Sequence, residues 1–214
     1  MKKKIVVLFF VVSAFVLVFG QVGFAQDMKG KFGIGARVAY VNYNEDDMGY
    51  GISVNHDEVA MYEGNLTYFV HNYCSFELGV DYAKSDMDFK SSYLNILENV
   101  GELEQIPILL TVRFHFSTNP KMGLYLGGGV GYYLNDFSSS SSVFPTDYDI
   151  DNSFGIHANG GFEYFLNEHF ALNFDLKYIW NSADVKIEGA FPFVIEDSVS
   201  LDTFYAGVGL KFYF

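Results

Sequence analysis

Cysteine is almost absent from this chain, with Cys74 alone in 214 residues. One thiol excludes an internal disulfide, so an exported fold must be held by hydrogen bonding and packing. Burial as a small apolar residue is the expected state of Cys74 itself. Basic residues are scarce as well, 13 Lys+Arg against 26 Asp+Glu, an imbalance that repels nucleic acid. Prolines number four, and no Pro/Ser-rich linker or shift of composition divides the sequence, which argues for one domain. The histidines lack order too. His56, His71, His157 and His169 show none of the spacings of paired metal ligands, so neither a metal nor a cofactor is expected.

What is present begins with a leader. Lys2, Lys3 and Lys4 precede an apolar run from Ile5 to Phe19, and Gly23-Phe24-Ala25 supplies the small residues of a cleavage site. That is the layout of a secretory signal peptide, and the run is short for the ~20 residues of a membrane span. The expected division is therefore residues 1–25 as a cleavable signal peptide and 26–214 as the mature domain. No cysteine stands at the cleavage point, which excludes lipid attachment there. Without the three leader lysines, 10 Lys+Arg face 26 Asp+Glu, a mature charge of about −16.

The helical period is missing after residue 30, and apolar residues recur at every second position instead, which is the period of a strand. In the last segment Phe204, Ala206, Val208, Leu210, Phe212 and Phe214 share one face, while Thr203, Tyr205, Gly207, Gly209, Lys211 and Tyr213 share the other. The same alternation predicts seven more strands near 31–43, 58–70, 75–88, 104–116, 122–135, 153–166 and 169–186. Their connections alternate in length. Short turns are expected near His71-Asn72, Ser117–Lys121 and Asn167-Glu168, and longer polar loops near 44–57, 89–103, 136–152 and 187–199.

Most of these strands reach the ~9–11 residues that a tilted membrane-crossing strand needs, against ~5–6 for a soluble sandwich. Their apolar rows are rich in aromatics, as interfacial girdles require, and unequal connections suit the two unlike ends of an outer-membrane barrel. Lipid satisfies no open strand edge, so the last strand must pair with the first. The expected fold is all-β: an eight-stranded antiparallel up-and-down transmembrane β-barrel in a bacterial outer membrane. The alternative of a soluble lipocalin-like barrel would turn the apolar face inward.

Eight strands leave an interior filled by side chains. Arg37, Arg113, Lys177 and Lys211 would there meet Glu63, Glu77, Asp81, Glu163 and Asp175 in an internal salt-bridge network, since an unpaired charge in that place is costly. Its role is either to hold the barrel shut or to form a gated polar path. Gly127-Gly128-Gly129-Val130-Gly131 lacks the Gly-Lys-Ser/Thr ending of a phosphate loop and reads as strand. Glycines 127, 129 and 131, between Tyr125 and Tyr133, give room to large neighbours and to tight curvature.

Three segments resemble the OmpW family of small outer-membrane barrels: Ile106-Pro107-Ile108, Leu124-Tyr125-Leu126-Gly127-Gly128-Gly129-Val130-Gly131-Tyr132, and Phe162-Glu163-Tyr164-Phe165-Leu166-Asn167. The ending Leu201-Asp202-Thr203 to Phe214 is similar as well, although Thr203 stands where a proline is expected and the loops, with the run Ser138–Ser142, differ. The resemblance implies an eight-stranded barrel of a family associated with the passage of small hydrophobic molecules and with stress responses. Phe214, Phe212 and Leu210 resemble the terminal signal by which the outer-membrane assembly machinery recognises its clients. Membrane lipid, lipopolysaccharide and that machinery are the expected partners, with small hydrophobic solutes as cargo.

Two other functions are weighed against a conduit. A structural or surface-interaction barrel of the OmpA or OmpX type would have a plugged lumen. A lipid-modifying enzyme is suggested by His115-Phe116-Ser117, which has the His-x-Ser spacing of lipid A deacylases, but the pair falls at a periplasmic turn with no acid close in sequence. No catalytic residue is expected.

Overall fold

The computed structural model describes residues 27–43, 46–49, 52–56, 59–91, 96–119, 121–139, 147–188 and 195–214. The expected signal peptide lies outside them. Among the described residues there are twelve strands: β1 Phe32–Tyr43, β2 Asp46–Gly49, β3 Ile52–His56, β4 Val59–His71, β5 Cys74–Ser91, β6 Ile96–Asn119, β7 Met122–Ser139, β8 Asp147–Ile150, β9 Ser153–Phe165, β10 Phe170–Glu188, β11 Ile195–Ser200 and β12 Thr203–Tyr213. Eight of them, β1, β4, β5, β6, β7, β9, β10 and β12, close into one antiparallel ring. The closing seam joins β1 to β12 over Gly33↔Tyr213 to Tyr43↔Thr203, so neither edge strand is left open.

Strict alternation sets which side of each strand faces out. Val38, Leu66, Leu78, Leu110, Val130, Leu172, Val208 and other large apolar side chains are exposed on the outer wall. Such a surface is unstable in water and suited to hydrocarbon. Aromatics border it at both ends, with Phe32, Tyr68, Phe170 and Phe214 at one and Tyr40, Tyr62, Tyr82 and Trp180 at the other. From Phe32 to Tyr40 a tilted strand climbs about 20 Å, close to the ~25 Å apolar band of outer-membrane barrels. Above the second girdle the outer face turns charged, where Lys84 meets Glu102 at 2.6 Å.

The two ends differ. One carries both described chain ends, the tight connections at residues 72–73 and 166–169, and the pairing of Asn119 with Met122 where β6 gives way to β7. There Met28 and Lys29 donate their backbone N–H groups to Asn72 Oδ1 at 3.0 and 2.7 Å, and Gly30, at φ 81°, turns the chain so that its N–H reaches the Phe69 carbonyl at 2.8 Å. The Met28 side chain thereby enters the barrel mouth and packs with Phe69, Ala171, Tyr213 and Phe165.

At the other end the structure departs from the expectation of long loops. β5 runs to Ser91 and β6 begins at Ile96, so most of 89–103 is ladder. The β2–β3 hairpin joins β5, while β8 and β11 flank the upper part of β10. The reason is physical. Polarity reports the medium that a side chain meets, and a strand rising out of the membrane into water is as polar as a loop.

Glycines on the enclosed face stand beside the largest lumen side chains. Gly209 is the register partner of Arg37 and Gly127 that of Arg113. A Cβ at Gly209 would lie 2.4 Å from Arg37 Cγ, so the arginine occupies space that any other residue would fill. Cys74, expected to be buried, is only half-buried, on the same side of β5 as the exposed Phe76. At the edge of the band lipid covers it in place of a protein core.

Candidate functional site

The interior is built in layers. At the turn end sits the aromatic cap of Met28, Phe69 and Tyr213. Above it lies an ionic layer, and above that an apolar one formed by Ala39, Val41, Val59, Met61 and Ala83, with Leu109, Tyr133 and Ile179 across the barrel.

Strand register assembles the ionic layer. Arg37 on β1 is paired with Glu63 on β4, which is paired in turn with Asp81 on β5. The four cations Arg37, Arg113, Lys177 and Lys211 and the five carboxylates Glu63, Glu77, Asp81, Glu163 and Asp175 are all buried. Arg37 donates to Glu63 and Glu77, and its Nη1 reaches Asn173 Oδ1 at 3.1 Å. Glu77 is the hub. It accepts from Arg37 and Arg113, from Lys211 Nζ at 2.5 Å and from Thr67 Oγ1 at 3.1 Å.

Lys211 also lies 3.1 Å from Glu163. Arg113 stacks over the Tyr125 ring at 4.5 Å and lies 3.5 Å from Asp175. Three tyrosines complete the acid shells: Tyr125 donates to Asp175 at 2.7 Å, Tyr205 to Glu63 at 2.9 Å and Tyr213 to Glu163 at 2.8 Å. Inside a low-dielectric barrel, charges persist only with such multiple bonding. Lys177 and Asp81 are held loosely. Lys177 Nζ is 3.5 Å from Glu63, 3.9 Å from Asp81 and 4.4 Å from the centre of the Tyr205 ring.

Three features escaped the sequence reading. The first is the apolar layer. Val38–Val41 and Val59–Tyr62 are apolar at both parities, and that loss of alternation marks a wall greasy on both faces. The second is the set of tyrosines that serve carboxylates, which no spacing reveals. The third is the partner of His115. Its Nε2 lies 2.7 Å from Ser75 Oγ on the neighbouring strand, beside the Phe69 ring, while His157 Nε2 is 2.8 Å from Thr111 Oγ1. The side chain of Ser117 lies outside the described residues. At the other end of the site, Phe214 and Leu210 are exposed on the outer wall of β12, with Phe212 half-buried between them.

The wall has one irregularity beside the ionic layer. The β5–β6 ladder pairs Val80 with Ile108, lapses, and resumes at Ala83 and Gln105 in the same register. The two residues skipped on β6 are Ile106 and Pro107. Proline has no N–H to give the ladder, which is why it is rare in central strands.

A closed ring of long strands, greasy outside and ionic within, has its counterpart among known proteins. The model of the outer membrane protein beta-barrel domain family matches residues 11–212. The chain belongs to that family. Its location is the bacterial outer membrane, where lipid and lipopolysaccharide surround its wall. The chain is 26% identical over 170 residues to the uncharacterized outer-membrane protein y4mB of Sinorhizobium fredii, a match that spans 77% of this chain and 70% of that protein. It is 30% identical over 90 residues to outer membrane protein W of Vibrio cholerae, covering 40% of this chain and 42% of that one. Among solved structures, OprG from Pseudomonas aeruginosa shares the fold of this barrel, with a TM-score of 0.77 at 20% identity, over 90% of this chain and 99% of that one.

Proposed function

We propose that this barrel is a narrow conduit or binding site for small hydrophobic solutes at the outer membrane, with no catalytic step. The observation that carries the reading is the apolar interior of the loop half. Val41, Met61, Leu103, Leu109 and Ile179 face inward at the end nearer to water, where a barrel that only had to be filled could use polar side chains. Such a lining favours an apolar guest over a hydrated one.

The ionic layer and the aromatic cap below it obstruct passage straight through. The interrupted ladder at Pro107 lies level with Asp81, where the apolar layer ends, so a solute would leave sideways through the wall. Pro107→Val restores the missing donor. It is expected to reduce uptake of a hydrophobic tracer by outer-membrane vesicles several-fold while the amount of folded barrel is unchanged. Unaltered uptake in this variant would remove the lateral path.

The filled ionic layer also supports a second reading, a plugged barrel with a structural or surface-interaction role. Planar-bilayer recording together with tracer uptake by the unaltered protein separates the two, because a plugged barrel is silent in both.

Phe214, Phe212 and Leu210 are the face offered to the outer-membrane assembly machinery. Deleting Phe214 is expected to cut the folded barrel recovered from outer membranes several-fold, read as the heat-modifiable band on an unboiled gel. Full recovery would end that assignment.

A further inference from the structure

The inner carboxylates are not equally served. Glu63, Glu77, Glu163 and Asp175 each accept at least two side-chain hydrogen bonds. Asp81, only 1% exposed, accepts none at either oxygen. Its nearest ionic partner among the described residues is Lys177, whose Nζ stands 3.9 Å from Oδ2, too far for a hydrogen bond. A buried carboxylate without a hydrogen-bond donor is costly, and the attraction of Lys177 across 3.9 Å does not replace the missing bond.

Its position places this unserved carboxylate on a path through the barrel. Asp81 sits at the floor of the apolar layer, two residues below Ala83 on β5, with Met61 and Val41 in the same cluster as Ala83. By the register on either side it faces Pro107 across the lapse in the β5–β6 ladder. A molecule that crosses the apolar layer from the loop end therefore meets the Asp81–Lys177 pair where greasy lining gives way to charge.

We propose that the gap between Asp81 and Lys177 binds the hydroxyl head of an aliphatic alcohol whose chain lies along Met61, Val41, Leu109 and Ile179. This deepens the conduit reading and rests on it. An oxygen about 2.8 Å from both groups fits between atoms 3.9 Å apart, donating its proton to Asp81 Oδ2 and accepting one from Lys177 Nζ. An ammonium head would be repelled by Lys177, and a carboxylate head by Asp81 and Glu63. An alkane would leave the pair unsatisfied. A hydroxyl satisfies both partners and leaves the charge of the layer unchanged.

Methionine methyl groups report on this directly. Met61 lies in the apolar layer and Met28 in the cap on the far side of the ionic layer. With the full barrel in lipid nanodiscs and its methionine methyls labelled with carbon-13, decan-1-ol added at known mole fraction in the lipid should shift Met61 and leave Met28 in place. Decane and decyl methyl ether, which have no proton to donate, should bind roughly tenfold more weakly, the effect of one charge-assisted hydrogen bond. Asp81→Asn should weaken decanol binding by about the same factor and leave decane binding as it was. The alcohol and ether comparison uses the unaltered protein, so it stands even if the variant does not fold. Equal affinities for alcohol, ether and alkane, or undiminished decanol binding by D81N, would overturn the alcohol site and leave the conduit standing. A Met61 methyl that ignores all three ligands would remove both.

Discussion

Glu77→Ala is expected to destabilise the barrel by about 3–5 kcal/mol, the usual cost of removing one member of a buried ionic set. Glu77 joins Arg37, Arg113 and Lys211, so its loss leaves three cations packed together without their shared counter-charge. Glu77→Gln keeps the shape and fails in the same direction, because a neutral amide returns a donor to a place that needs only acceptors. Reversible denaturant unfolding in lipid vesicles measures the change, read by the fluorescence of Trp180, the only tryptophan. A loss below about 1 kcal/mol, the scale of an exposed ion pair, would mean that the layer does not hold the ring together.

The second large effect is on the outer wall. Val208 is 61% exposed midway along β12, between Phe204 at one girdle and Phe212 and Phe214 at the other. Val208→Arg places a cation at the middle of the hydrocarbon and should cost about 2–4 kcal/mol, whereas Phe204→Arg at the rim should cost about 0–1 kcal/mol from charge placement. The contrast between the two positions is the test, since both point outward from the same strand. Equal costs would show that the exposed face does not meet lipid, and with it the membrane orientation of the barrel would fall.

Some of this molecule is legible before any coordinates. Alternation along Phe204–Phe214 and along Ile106–Phe116 assigns strands, and the strand ends fall within a few residues at β1, β4, β7, β9, β10 and β12. Strand length and aromatic borders separate a membrane barrel from a sandwich, because a bilayer imposes a span that a soluble core does not. The upper parts of β5 and β6 are less legible, since above the membrane the outward side chains meet water on strand and loop alike. The apolar inner layer was missed for a related reason: where both faces are greasy the period of two disappears.

The candidate site is a harder case. Arg37, Glu63, Glu77, Asp81, Arg113, Glu163, Asp175, Lys177 and Lys211 share one parity in the sequence, but parity names a face and not a partner. Lys211 and Glu77 are 134 residues apart and meet at 2.5 Å across the lumen. Tyr205 reaches Glu63 over 142 residues.

By itself the sequence determined that this is an all-β chain of eight long strands with one greasy and one mixed face, because period, length and composition are local properties. Only closure of the ring decided which charges touch, that Asp81 is left unserved, and that the lapse at Pro107 falls beside it. Those outcomes depend on register and curvature around the whole circumference, which no short segment contains.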